Sequence, residues 1–384
     1  MQRSTLTRTV QLVLMLAVFL TATACDQSPL FYSISNETER KTAAVPGTPS
    51  RTVRLTGGSV FVANGKLFRR NGSKWNSASR PDGELVRDLA AIGDTLFAMT
   101  LPGTGSTTKL WKSVDDAATW SRVDLNSAVA SYDTFDSLFT AGPAGSESLF
   151  VGAHTSGLEY AILRTGESGS DLVLEEGELG AGGILTGAAY LDLTGEYFLS
   201  TVSAGIWGGA ALGSLTLETG TDANGYLLSG IIAVDTDTTV GTDMVVSVGR
   251  GKNLLLRKNG ENFSIAEKSY LFPGALAVYA DDTRERLLVA IQDGTTYGFM
   301  EIDLTALAGA ADAAAVTLVK TGGDSTSTSD YNQYAGALGT EAIISLTYYN
   351  AASGVSPDGR ILFASTANEG LWSSTNSGDW NLES

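Results

Sequence analysis

The side chains able to do chemistry in this chain are few and scattered. His154 is the single histidine and Cys25 the single cysteine among 384 residues, so a Ser-His-Asp or Cys-His site would have to rest on one imidazole and one remote thiol. A histidine-rich zinc site is excluded by the same count. Following Val151-Gly152-Ala153, His154 reads as a turn residue. The segment Gly103-Thr104-Gly105-Ser106-Thr107-Thr108-Lys109 has the glycines and lysine of a phosphate loop, but the spacing is wrong and no helix follows it. Asp115-Asp116 and Asp281-Asp282 offer paired carboxylates for calcium; the ligand series of an EF-hand is absent, and solvated turns account for both pairs. The 42 acidic residues could supply the two carboxyls of a glycosidase, yet no spacing selects a pair. No catalytic residue, metal ligand or cofactor site is therefore assigned.

Charge narrows the partners. The chain carries 25 basic and 42 acidic residues, a net charge of −17. This argues against nucleic acid and against electrostatic docking on anionic lipid.

The N-terminus carries the clearest instruction. Arg3 and Arg8 precede an apolar run from Val10 to Leu20, which ends in Ala22-Thr23-Ala24, so residues 1–24 have the three parts of a secretory signal. The run is too short to span a bilayer comfortably, and cleavage is the expected fate. Ala22-Thr23-Ala24-Cys25 resembles the lipobox of bacterial lipoproteins, in which the cysteine becomes the lipidated first residue of the mature protein; here Ala22 stands where that family usually has leucine. The resemblance implies that Cys25 is the membrane anchor and that the folded part lies outside the cytoplasm, in the cell envelope. Processing by ordinary signal peptidase, leaving a secreted protein with an unpaired cysteine, is the alternative. Residues 25–50 are polar, contain Pro46 and Pro49, and read as the lipidated cysteine and a flexible tether; a small ordered cap docking through Leu30-Phe31-Tyr32 is the other reading.

Residues 51–384 form the folded domain, and internal repeats decide its architecture. A short apolar run recurs at Val60-Phe61-Val62-Ala63, Leu96-Phe97-Ala98, Leu149-Phe150-Val151, Tyr197-Phe198-Leu199, Met244-Val245-Val246, Leu287-Leu288-Val289 and Ile361-Leu362-Phe363. Each is followed by a turn and a second strand that often carries Leu or Trp, and most are preceded by another apolar run such as Leu89-Ala90-Ala91-Ile92. Each unit reads as four strands over about 48 residues, the length of a propeller blade. The expected fold is all-β, a seven-bladed β-propeller of four-stranded antiparallel blades, with six or eight blades left open. Gly322 to Tyr334 reads as a long loop, and Ala306 to Ala315 is the one helix-prone stretch.

Turns between the third and fourth strands share a chemistry. Ser113-Val114-Asp115-Asp116-Ala117-Ala118-Thr119-Trp120 resembles the Asp-box, the bacterial neuraminidase repeat, with Ala117 in place of its glycine. Ser374-Thr375-Asn376-Ser377-Gly378-Asp379-Trp380 is a shortened version, and Asn71-Gly72-Ser73-Lys74-Trp75 and Asn259-Gly260-Glu261-Asn262-Phe263 look like eroded relatives. Ser113, Asp115, Thr119 and Trp120, with Ser374, Asn376, Gly378 and Trp380, are thus expected to hold turns and blade contacts. The resemblance points to the broad Asp-box propeller group, which includes sialidases and non-enzymatic photosystem II assembly factors. Sialidases use an Arg-Ile-Pro element and three arginines that grip a carboxylate; here Arg-Ile-Pro is absent and the domain's arginines cluster early, at Arg51, Arg54, Arg69, Arg70, Arg80 and Arg87. The expectation is a non-catalytic platform for a protein or envelope glycan. A carbohydrate-active hydrolase with carboxylates at the central channel, and a purely structural envelope lipoprotein, are the alternatives.

Overall fold

The apolar runs become strands because both of their faces are covered. The computed structural model describes residues 42–101, 107–166, 171–177, 179, 182–218, 227–234, 244–249, 253–258, 263–267, 270–280, 285–304, 307, 338, 341–349, 360–375 and 380–384. All seven recurring runs fall within the second strand of an antiparallel sheet, and there are seven such sheets.

Blade 1 comprises β1 (Val53–Arg54), β2 (Val60–Ala63), β3 (Leu67–Asn71) and β4 (Lys74–Ser77). Blade 2 comprises β5 (Leu85–Ile92), β6 (Thr95–Leu101), β7 (Lys109–Ser113) and β8 (Ser121–Arg122). The next strand, β9 (Asp124–Leu125), crosses forward and pairs in parallel with the outer strand of blade 3. That blade is β10 (Thr134–Ala141), β11 (Ser148–His154), β12 (Tyr160–Thr165) and β13 (Asp171–Glu176). Blade 4 follows as β14 (Leu185–Leu191), β15 (Glu196–Thr201), β16 (Gly205–Gly209) and β17 (Thr216–Leu217), and blade 5 as β18 (Leu228–Val234), β19 (Met244–Gly249), β20 (Asn253–Lys258) and β21 (Ser264–Glu267). Among the described residues blade 6 has three strands, β22 (Leu276–Ala280), β23 (Glu285–Asp293) and β24 (Thr296–Asp303). Blade 7 is β25 (Ile343–Tyr349), β26 (Ile361–Thr366), β27 (Leu371–Ser374) and β28 (Asn381–Leu382).

The core explains how the blades hold together. Its buried side chains fall into seven clusters, each formed by two neighbouring blades. Successive residues of a strand point to opposite faces, so each second strand serves two clusters. Phe61 and Ala63 pack toward blade 2, whereas Val60 and Val62 pack toward blade 7. Leu287 and Val289 face blade 5, and Leu288 and Ala290 face blade 7. A sheet covered on both sides needs a continuous apolar run, which is why these strands stand out in the sequence. Fourth strands are the outermost antiparallel strands of their blades, and β8 and β17, of two residues each, are exposed along their whole length.

The cluster shared by blades 7 and 1 closes the ring, giving a seven-bladed β-propeller rather than a six- or eight-bladed one. Its closure corrects the expected boundary at residue 50. Val45 is fully buried, the Ala44 amide donates to the Glu383 carbonyl at 2.8 Å, and the Leu371 amide donates to the Val45 carbonyl at 3.3 Å. The folded unit therefore begins at Ala43. Prolines and small residues made this segment resemble a linker, but one buried valine and a few backbone bonds to the last blade fix it in place. The remainder of the tether, Cys25, the expected loop at 322–334 and the helix-prone stretch at 306–315 lie outside the described residues, apart from Leu307.

Candidate functional site

The inner strands of all seven blades converge on a cavity of about 820 Å3 along the propeller axis. Five of them, β5, β10, β14, β18 and β25, break register at the same place near their N-terminal ends. The residue skipped by the pairing is Arg87, Asp136, Thr186, Ser229 and Ile344 in turn, and every one of them lines the cavity. An extra residue in one strand bends it and re-aims a side chain, so a repeated bulge is a device for presenting a ring of side chains.

Residues at and beside the bulges tie the ring together. Ser137 Oγ donates to the Leu185 carbonyl at 2.7 Å, linking blades 3 and 4, and Ser229 Oγ donates to the Phe272 carbonyl at 2.9 Å, reaching from blade 5 to the start of blade 6. Asp88 Oδ2 accepts from the Leu138 amide at 3.1 Å, across blades 2 and 3. Ser365 Oγ donates to the Ser50 carbonyl at 2.7 Å, across the closing seam. Thr186 Oγ1 stays within its own blade, donating to the Ser200 carbonyl at 3.1 Å.

The ring is electrostatically lopsided. Arg51, Arg54, Arg87, Asp88 and Asp136 line it on the side of blades 1 to 3. Blades 4 to 7 contribute neutral side chains, among them Ala188, Ile231, Ile232, Leu276 and Leu346. Arg51 pairs with Asp88 Oδ2 at 3.1 Å and lies 4.0 Å over the Phe139 ring. Asp136 Oδ2 sits 2.9 Å from His154 Nδ1. His154 is not a turn residue: it ends β11, paired with Tyr160 and Thr134, with its ring 5.3 Å from that of Tyr160. Both carboxylates of the cavity are thus engaged by neighbouring cations, amides or imidazole. Arg54 Nε is buried without a partner among the described residues, and Arg87 is exposed. No cluster of metal-binding side chains occurs among the described residues.

The turn residues sit far from this cavity in the topology, between third and fourth strands. Asp115 organises its turn: its carboxylate accepts from Thr119 Oγ1 at 2.5 Å, from the Thr119 amide at 2.9 Å and from Ser113 Oγ at 2.8 Å. The Thr119 hydroxyl, then its amide, then the Ser113 hydroxyl lower the Asp115 pKa to about 2 by stabilising the ionised form. Ser113 is buried and its Oγ also accepts from the Ala117 amide at 3.0 Å. Ala117 holds φ 66°, and Asp116 before it φ 63°. Trp120 Nε1 donates to the Ser79 carbonyl at 3.1 Å while the ring packs on the core between blades 1 and 2. In blade 7, Ser374 is buried at the end of β27, as Ser113 is at the end of β7. Trp380 packs on the preceding blade, 5.7 Å from Phe299. Asn376 and Gly378 lie outside the described residues, as do Asp281-Asp282 and the core of the glycine-rich segment at 102–106.

The six early arginines separate into two groups. Arg69 pairs with Asp116, Arg70 with Glu383 at 3.5 Å, and Arg80 donates to the Gly65 carbonyl at 3.2 Å, all as framework of the first blades and the seam. Arg51, Arg54 and Arg87 line the axis. Counting to alternate faces from sequence skips over bulges, so the placement of Arg87 and Asp136 on the axis is not legible from alternation. A signal was present: Val86-Arg87-Asp88-Leu89, Phe135-Asp136-Ser137-Leu138, Leu185-Thr186-Gly187-Ala188, Leu228-Ser229-Gly230-Ile231 and Ile343-Ile344-Ser345-Leu346 share an apolar residue, a variable one, a polar or small one, and an apolar one.

The class is therefore a β-propeller with a bulged inner ring around an axial cavity. The fold is similar to YCF48 from Cyanidioschyzon merolae, with a TM-score of 0.50, 14% identity, and 86% of this chain and 95% of that one covered. It is also similar to a chain in the crystal structure of the mitotic checkpoint complex, with a TM-score of 0.51, 9% identity, and 89% of this chain and 95% of that one covered. At these identities the likeness establishes the fold alone. No family model and no curated protein sequence matches the chain.

Proposed function

We propose that this chain is a lipid-anchored, extracytoplasmic propeller that acts as a non-catalytic platform and holds a protein partner at the mouth of its axial cavity. The observation that carries the reading is the ring of five bulges, which spends ladder hydrogen bonds to aim side chains at one open cavity. Binding residues on a rigid scaffold are the common use of such geometry. The engaged state of Asp88 and Asp136 favours binding over hydrolysis, because a glycosidase needs one carboxyl free to give a proton and another free to receive or attack. The aliphatic wall, with Phe139 already covered by Arg51, favours a protein over a glycan, whose sugar rings stack on open aromatic faces.

Cys25 supplies the anchor in this reading. Each buried methylene of an acyl chain contributes about 0.8 kcal/mol, so two or three chains hold the protein stably. Replacing Cys25 by alanine should move the protein from the membrane to the soluble fraction, and unchanged membrane partition would refute the anchor. Affinity capture from envelope extracts should retain a protein partner. Failure to capture one, together with turnover of a glycan library, would replace the platform with the hydrolase.

A further inference from the structure

The axial cavity carries the opposite charge to the molecule around it. Against a chain of net charge −17, three arginines and two aspartates line the cavity, leaving it one positive charge in excess. Arg51 is committed to Asp88, but Arg54 lies within the wall with Nε unpartnered among the described residues, and Arg87 is exposed on its bulge with no ion pair among them. An arginine carried on a re-aimed bulge, with no acid paired to it among the described residues, can turn its five donors to a planar anion. On blades 4 to 7 the wall is neutral and largely aliphatic, and Ile344 on the bulge of blade 7, the neighbour of blade 1, is 40% exposed.

We infer that the cavity mouth is a binding site for an acidic, aliphatic peptide segment, with Arg87 and Arg54 taking a carboxylate and the wall around Ile344 taking a neighbouring apolar side chain. The inference rests on the platform reading and specifies its partner. Charge complementarity selects the occupant: elsewhere the acidic surface repels such a peptide, and over a few ångströms a focused positive patch in a low-dielectric wall steers it inward. Acidic sugars share the carboxylate, but offer nothing to an aliphatic wall.

The test uses the full-length protein and a fluorescein-labelled peptide of alternating glutamate and leucine, followed by fluorescence anisotropy. Saturable binding is expected, weakening as salt is raised, as exposed charge pairs are screened beyond about 10 Å at 0.1 M. A lysine-leucine peptide should not compete. Arg87→Glu should weaken binding at least tenfold, and Ile344→Asp should weaken it at all salt concentrations; both positions are exposed, so circular dichroism and the thermal midpoint should match the parent. Equal binding by the variants, equal binding of the basic peptide, or displacement by a polyuronate at lower concentration than by the acidic peptide each overturns the inference. If envelope capture of a partner persists unchanged in Arg87→Glu while the peptide fails to bind, the inference falls and the platform stands. If the peptide binds but no partner is captured and glycans are hydrolysed, the platform falls and the site stands.

Discussion

Among the contacts that close the ring, the buried carboxylate of Glu383 is the most informative one to change. Its carboxylate accepts from Trp75 Nε1 at 2.7 Å and pairs with Arg70 at 3.5 Å, with the Arg70 and Glu383 side chains only 8% and 7% exposed. Burial lowers the Arg70 pKa and the Glu383 charge raises it back in part; the guanidinium also lies 5.2 Å over the Phe363 ring. Glu383→Ala leaves a buried guanidinium without its carboxylate, worth about 3–5 kcal/mol for a buried pair broken from one side. The indole N–H orphaned in the same step belongs to the same loss. Glu383→Gln keeps an acceptor for Trp75 but leaves the same buried cation without its counter-charge, so a loss at the low end of that range, about 3 kcal/mol, is expected. With about 2.1 cal/mol/K of unfolding entropy per residue, a domain of this length shifts by roughly 1.5 °C per kcal/mol, so Glu383→Ala should lower the thermal midpoint by about 4–7 °C. Chemical denaturation, with its midpoint read by fluorescence and circular dichroism, checks the same quantity. The decisive comparison is Arg70→Met combined with Glu383→Leu, which should recover most of the loss because no buried charge remains. A Glu383→Ala variant within about 1 kcal/mol of the parent, or a double variant less stable than Glu383→Ala, would refute the reasoning.

Outcomes at three further sites test the local arguments. Ala117→Gly should change stability by less than about 0.5 kcal/mol: relief of the left-handed backbone at φ 66°, worth about 1–2 kcal/mol, is offset by the lost buried methyl and the freer unfolded chain. Ala117→Val in the same denaturation assay should cost more than about 2 kcal/mol, since a branched side chain is poorly tolerated in that region. At Gly274, φ is 111° and an added Cβ would collide with the Ser229 carbonyl of blade 5, so Gly274→Ala should destabilise by about 3 kcal/mol or more; a neutral result would mean that blades 5 and 6 approach less closely than described. The lowered pKa of Asp115 places its contribution to stability above about pH 4, with loss as pH falls toward 2, because the unfolded carboxyl takes up its proton first. Carboxyl titration by NMR should show a midpoint near 2 that rises in Thr119→Val, and an unshifted midpoint would remove the hydroxyl from the account.

The sequence disclosed the second strands most plainly, because Val60 to Ala63 or Leu287 to Ala290 must be apolar on both sides to separate two blades. Turn chemistry was equally plain at Ser113 to Trp120, where the bonds to Asp115 are local and so are written in consecutive residues. What stayed hidden depends on distant partners. Val45 is one apolar residue among prolines until Leu371 comes to meet it. Asp124 and Leu125 look like the end of blade 2, and only their parallel pairing with Asp171 and Leu172 assigns them to blade 3. His154 joins a strand, and gains Asp136 from an adjacent strand through a bulge that no alternating pattern encodes.

The clasp between residues 44–47 and the final blade has a mechanical meaning. Gly47 bridges Glu369 in parallel, the Gly370 amide donates to the Gly47 carbonyl at 3.0 Å, and Ala44 reaches the Glu383 carbonyl. A tensile load applied to the chain ahead of Ala43 meets these bonds before it meets any whole blade. The seam thus serves as a strain relief: pulling would first peel a few hydrogen bonds at the ring's one covalent gap, while the six other interfaces, each spanned by continuous chain, keep the axial cavity in shape.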